Sequence, residues 1–286
     1  MGSTLRQLSV VDHDRDAAGM TYVYPVVSRR AGGVSVGINL NPNNACNWRC
    51  VYCQVPGLIF GKGPQVDLTR LEEELRSLLQ EITHGDFMER CVPEGARRLN
   101  DVAFSGNGES TTSPQFREAV EIAGRVLNDL GLLGTVKLVL ITNGSMMNKP
   151  AVMAAVSRLS ELHGEVWFKL DSFTAEGSRW INGSAVPVED HVARLGAAAE
   201  RCPTWIQTCL FAWDGQPPSE EEQRVYLEGV RTLAGGSAPL LGVLLYTVAR
   251  PSMQPEAARI TPLSEDWLRS FASRIEEAGL PTRVSV

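Results

Sequence analysis

Residues 34–40, Val-Ser-Val-Gly-Ile-Asn-Leu, run directly into residues 44–54, Asn-Ala-Cys-Asn-Trp-Arg-Cys-Val-Tyr-Cys-Gln. The first stretch reads as a β-strand, and the second places Cys46, Cys50 and Cys53 in the loop after its C-terminal end. Three thiolates can hold three irons of a cubane iron–sulfur cluster, whereas a closed cluster takes four. The fourth iron would stay open, and an open metal position lets a substrate or cofactor ligate directly. A zinc site completed by a distant ligand is the competing reading. Zinc sites usually bring a second knuckle of paired ligands; none follows, and His13, His84, His163 and His191 are scattered without H-x-x-x-H spacing.

The chain has 286 residues, enough for one large α/β domain or two small ones, of which one is expected, and 43% hydrophobic content with no apolar run of membrane-spanning length. No charged-then-apolar signal pattern opens it. The six cysteines group as one tight trio plus Cys91, Cys202 and Cys209 apart, unlike a secreted disulfide framework, so a cytoplasmic location is expected. The isolated three read as buried small hydrophobes rather than ligands of a second cluster. A net charge of −6 and a pI near 5.4 offer no general attraction to nucleic acid. Arg29-Arg30 and Arg97-Arg98 are the adjacent basic pairs, read as solvated surface.

Outward from the cysteines, strand and helix patterns alternate six times. Strands are expected over 34–40, 101–105, 136–142, 166–171, 205–211 and 239–247, with short segments at 21–27 and 282–286. Helices are expected over 66–83, 114–130, 150–162, 188–200, 219–234 and 264–279. Such alternation means right-handed crossovers and a parallel sheet, either doubly wound or curved into a barrel, with six units against the eight of a closed one. The loops after the strands then emerge at one end, where sites in such folds are built. Cys46 to Cys53, Gly106 to Ser110, Asn143-Gly144, Lys169 with Asp171, and Arg250 all fall in that set.

Gly106-Asn107-Gly108-Glu109 invites a dinucleotide-binding reading. The third glycine is replaced by Thr111, and no acidic residue ends the next strand, so the fingerprint fails. The small residues would let a bound molecule approach the strand end, with Glu109 pairing a cation. A plain strand-to-helix turn with Ser110 or Thr111 as N-cap is the alternative.

Cys-x-x-x-Cys-x-Tyr-Cys, followed some fifty residues later by a glycine–glutamate turn, resembles the radical S-adenosylmethionine (SAM) superfamily. Tyr-Pro-Val-Val-Ser-Arg-Arg-Ala-Gly-Gly before the cysteines, Ile-Thr-Asn-Gly, Lys-Leu-Asp and Tyr-Thr-Val-Ala-Arg-Pro look like radical SAM proteins related to the tRNA wyosine-base synthases. The resemblance implies a partial (β/α)6 TIM-like barrel over 34–286, with residues 1–33 an extension packed on it. It implies a [4Fe–4S] cluster on Cys46, Cys50 and Cys53, and SAM on the open iron. Gly106, Asn107, Gly108 and Glu109 match the turn that holds the methionine amino group, and Tyr52 the aromatic beside the adenine. Asn143, Lys169 and Asp171 lie where family members place ribose, carboxylate or substrate contacts. Reductive cleavage would give methionine and a 5′-deoxyadenosyl radical that abstracts hydrogen from a substrate, with flavodoxin or ferredoxin as electron donor and oxygen sensitivity as a consequence.

The common Gly-Gly-Glu-Pro is here Asn-Gly-Glu-Ser, and no cysteine precedes Cys46, where the wyosine-base synthases carry an extra set. With the acidic pI, that favours a small-molecule substrate over tRNA or protein. A non-catalytic iron–sulfur binder is the reading of another class. Arg250 is placed to anchor a substrate carboxylate or phosphate. Trp180, Asn182 and Trp213 are expected in loops on the same face.

Overall fold

A computed structural model describes residues 7–9, 18–28 and 32–286. His13 and the Arg29-Arg30 pair lie outside the described residues. The chain forms two compact units interleaved in sequence: Met1–Asn47, Gly61–Ile141 and Pro150–Glu165, and Trp48–Phe60, Thr142–Lys149 and Val166–Val286.

In the first unit, β1 (Val23–Ser28) runs antiparallel to β2 (Gly33–Ile38), which lies parallel to β3 (Leu99–Phe104), itself parallel to β4 (Lys137–Thr142). All six residues of β2 are buried, as the unbroken apolar run requires of a strand covered on both faces. Helices α1 (Leu68–His84), α2 (Phe116–Asp129) and α3 (Pro150–Glu161) belong to this unit. On α1 the buried residues Leu71, Leu75, Leu78, Leu79 and Ile82 fall on one helical stripe, and Asp67 caps its start by accepting from the Arg70 N–H. The α1 residue Glu74 accepts the backbone N–H groups of Thr21 and Tyr22 at 2.9 and 2.7 Å, tying down the segment that leads into β1.

In the second unit, β5 (Glu165–Lys169), β6 (Thr204–Cys209), β7 (Leu240–Tyr246) and β8 (Thr282–Ser285) are all parallel. The register sorts their side chains. Phe168, Ile206 and Leu245 share one face with Thr208, whose hydroxyl meets that of Tyr226 on α6 (Glu220–Ala234) at 2.6 Å. Trp167, Lys169, Trp205, Gln207, Leu244 and Tyr246 share the other. Helices α4 (Ala175–Asn182), α5 (Val188–Ala199) and α7 (Glu265–Glu277) complete the unit.

The expected elements appear within a few residues of their bounds, with three corrections. Trp180 and Asn182 are on α4, not in a loop. Thr174 starts that helix by accepting from the Gly177 N–H, and Gly183 ends it in the left-handed conformation at φ 64°. Trp213 sits in a two-residue strand, Ala212–Trp213, paired antiparallel with Ile260–Thr261. The strand expected over 166–171 stops at Lys169, so Asp171 lies just beyond its end.

Candidate functional site

The second unit fastens the loop of Cys50 and Cys53 at many points. The Arg49 and Val51 N–H groups donate to the carbonyls of Asn182 and Ile181, at 3.0 and 2.8 Å, so the end of α4 clasps the loop from one side. Gly183 is needed there: a Cβ would sit 3.2 Å from the Arg49 nitrogen, at a φ that side chains resist. From the other side, the Cys53 carbonyl accepts from the Met253 N–H at 2.9 Å, with the Ser252 hydroxyl at 3.2 Å and the Gln254 amide at 3.4 Å. Arg49 also pairs with Glu256, and Arg250 donates through Nη1 to Gln54 Oε1 at 2.9 Å. Arg250 thus anchors the residue after Cys53.

Behind this loop stands a buried polar network. Asp171 Oδ1 accepts the Cys209 N–H at 2.8 Å, and its Oδ2 accepts the Tyr52 hydroxyl at 2.5 Å and the Asn182 amide at 2.7 Å. The Asn182 amide nitrogen also reaches Cys50 Sγ at 3.4 Å. Lys169 Nζ lies 3.4 Å from both the Tyr52 and Tyr246 hydroxyls and 5.2 Å from the Tyr52 ring centre. Burial alone would lower the Lys169 ammonium, but Tyr246, Asp171, Cys50 and Cys209 outweigh it and hold the group protonated above the usual lysine range. Burial, reinforced by the Asp171 charge, raises Tyr52 well above an ordinary phenol and keeps it a donor. Burial likewise pushes the Cys50 thiol up to about 11, against the opposing pull of Lys169. Metal binding would have to displace that proton.

Nearby, His191 directs Nε2 at the Lys169 carbonyl, 2.9 Å away, while its buried Nδ1 has no hydrogen-bond partner. Its ring packs 4.8 Å from that of Phe168 and 5.3 Å from that of Trp48. Asn143 closes a turn on itself by accepting the Ser145 N–H at 3.0 Å, and Gly144, at φ 69°, lies where a Cβ would overlap the Phe168 ring.

The glycine–glutamate turn and Cys46 belong to the first unit. Asn39 Oδ1 accepts the N–H groups of Asn41 and Asn107, at 3.0 and 3.1 Å, and Asn107 donates to Asn44 at 2.7 Å. Asn41 donates to the Ala45 carbonyl at 2.9 Å. A Cβ on Gly106 would meet the Asn39 side chain, and one on Gly108 the Ala45 carbonyl and Asn41, so the room at both glycines is taken by the protein's own asparagine-rich loop. Glu109, 4% exposed, accepts from the N–H and hydroxyl of Thr111 at 3.3 and 2.5 Å and caps a single turn over Ser110–Thr112. The capping role foreseen for Ser110 or Thr111 falls to the glutamate.

None of the three motif cysteines is in a disulfide, and all are half-buried. Among the described residues, no three His, Cys, Asp or Glu side chains stand together as a ready-made metal group. The donor chemistry nevertheless suits iron and sulfide: the three are soft thiols, and Cys50 and Cys53 lie on a loop with a fastened backbone. Sequence reasoning missed Asn182 as a sulfur contact, Tyr246 and Gln207 beside Lys169, and Asn39 and Asn41 beneath the glycines. The run Asn39-Leu-Asn-Pro-Asn-Asn44 was the available signal for the last two.

No model of a known protein family matches the chain. Among curated proteins it matches GTPase Obg of Brachyspira hyodysenteriae (strain ATCC 49526 / WA1), 23% identical over 125 residues, covering 44% of this chain and 16% of that protein. The chain spans about a sixth of that relative and has no G-x-x-x-x-G-K-[ST] phosphate loop. Solved structures are more informative. TYW1 with a lysine–pyruvate adduct bound aligns at TM-score 0.57 and 15% identity, over 96% of this chain and 80% of that one. A radical SAM methyltransferase from Sphaerobacter thermophilus aligns at 0.55 and 14%, over 88% of this chain and 66% of the other. A cysteine-to-alanine mutant of spore photoproduct lyase aligns at 0.53 and 11%, over 84% and 73%. The fold is the radical SAM partial barrel. In the radical SAM fold, α/β units form an incomplete TIM-like barrel, in agreement with the parallel strands and crossover helices of this chain.

Proposed function

We propose that the protein is a radical SAM enzyme that holds one [4Fe–4S] cluster on Cys46, Cys50 and Cys53 and binds SAM at the open iron. The observation that carries this reading is the Cys50–Cys53 loop, fastened through its backbone and joined through Asn182 to Asp171 and Tyr52. When bound, the cluster and SAM supply one-electron cleavage of the sulfonium and hydrogen abstraction from a substrate; the protein's part is positioning and exclusion of water. Tyr52 offers a flat face to the adenine and a hydroxyl held in place by Asp171. Lys169, kept protonated, suits an anionic group such as a carboxylate. Asn107 and Glu109, with the backbone groups of Gly106 and Gly108, take the methionine amino group, and Asn143 and Asp171 shape the ribose side.

The substrate is a small molecule, a reading supported by the net charge of −6, which offers tRNA no broad attraction. Arg250 supports the cluster loop through Gln54, and its place after β7 suits a substrate carboxylate or phosphate. The enzyme acts in the cytoplasm with a flavodoxin- or ferredoxin-type donor; no helix among the described residues is long and apolar enough to cross a membrane. The test is anaerobic reconstitution with iron and sulfide, then dithionite and SAM, following 5′-deoxyadenosine by chromatography. Wild type should release it, and Cys50→Ser should lose both the cluster's visible absorption and the product while keeping its circular dichroism. A Cys50→Ser protein retaining four irons would refute the ligand assignment.

A further inference from the structure

Asn182 joins two parts of the second unit that otherwise have separate jobs. Its side-chain nitrogen lies 3.4 Å from Cys50 Sγ and 2.7 Å from Asp171 Oδ2, so the two amide hydrogens point to a sulfur and a carboxylate. The residue is 2% exposed and its position is over-determined. Its own carbonyl accepts the Arg49 N–H, the preceding carbonyl accepts the Val51 N–H, and Gly183 ends the helix immediately after it. Asp171 is held in turn by the Cys209 N–H and the Tyr52 hydroxyl, so the amide cannot turn away from the sulfur without giving up a charge-assisted bond.

We propose that Asn182 is a positioning residue that donates an N–H···S hydrogen bond to the cluster ligand Cys50 and thereby raises the cluster's reduction potential. The inference rests on the reading of Cys50 as a ligand. Reduction adds negative charge to the cluster and its thiolates, and a donor aimed at one sulfur stabilises the reduced state more than the oxidised one. The same residue carries the effect to the cofactor side: Asp171, which Asn182 also holds, orients Tyr52. Occupancy of the Tyr52 side should therefore be felt at Cys50 through one amide.

The test is the midpoint potential of the reconstituted holoprotein, followed by electron paramagnetic resonance during an anaerobic redox titration, with iron and sulfide counted in each sample. Asn182→Leu keeps the approximate shape and removes the donor; Asn182→Ser is the smaller second variant should leucine fail to fold, as judged by circular dichroism. The expected result is a potential more negative than wild type by about 59 mV, a tenfold change in the one-electron equilibrium, with four irons retained. An unchanged potential in a folded, four-iron variant would overturn the inference while leaving the cluster assignment standing. A wild-type protein that takes up no cluster would overturn the underlying reading instead, so the two failures are distinguishable.

Discussion

A carboxylate that accepts from a tyrosine hydroxyl, an asparagine amide and a backbone N–H has little capacity left for a ligand, and Asp171 is so placed. Its work is to aim Tyr52 and Asn182. Tyr52→Phe leaves a buried charge short of one donor, so the variant should lose about 1–3 kcal/mol of unfolding free energy in urea with its circular dichroism unchanged. An undiminished stability would mean the hydroxyl does not reach the carboxylate. Glu109 has two roles that one substitution can separate. Glu109→Gln keeps an oxygen to cap Thr111 and removes the charge, so SAM affinity of the reconstituted protein should fall about tenfold by equilibrium dialysis, within the usual worth of a hydrogen bond to a charged group. Equal affinity would restrict Glu109 to its cap.

At the scale of elements, the strands were legible because long apolar runs bounded by turn residues have few other uses, and β2 shows the pattern at its clearest. Helix α4 was not. Eight residues make about two turns, too few for an apolar period, and its start and end are marked only by Thr174 and Gly183. The bond from Asn182 to Cys50 crosses 132 sequence positions and that from Arg250 to Gln54 crosses 196, so no local pattern records either. The cysteine trio stands out in the sequence because its spacing itself points to cluster chemistry. A consequence at this scale concerns the helix cap. Thr174→Ala removes the acceptor of the Gly177 N–H, costing about 1 kcal/mol, and α4 clasps the cysteine loop at its other end. Amide exchange at Arg49 and Val51 should quicken by about fivefold where opening runs through α4. Unchanged exchange at those two amides would show the loop to be held without the helix.

For the whole molecule, the acidic balance and the buried polar groups together set how stability answers to pH. His191 is buried against Trp48 and Phe168, and burial, with Arg194 beside it, lowers its affinity for a proton against the weaker opposing effects of the Lys169 carbonyl and Asp171. The unfolded chain takes up that proton near pH 6.5, while the folded protein does not until lower pH. Stability is therefore intact above about pH 6.5 and falls as pH drops below it, by up to about 1.4 kcal/mol per unit for this one group. His191→Gln can retain a donor to the Lys169 carbonyl and cannot titrate. Urea midpoints at pH 7.5 and 5.5 should show wild type losing about 1 kcal/mol more than the variant over that interval, within the limit of one proton per molecule. Parallel losses in the two proteins would mean that His191 takes up its proton equally in both states, and the acid sensitivity would then have to lie with the carboxylates.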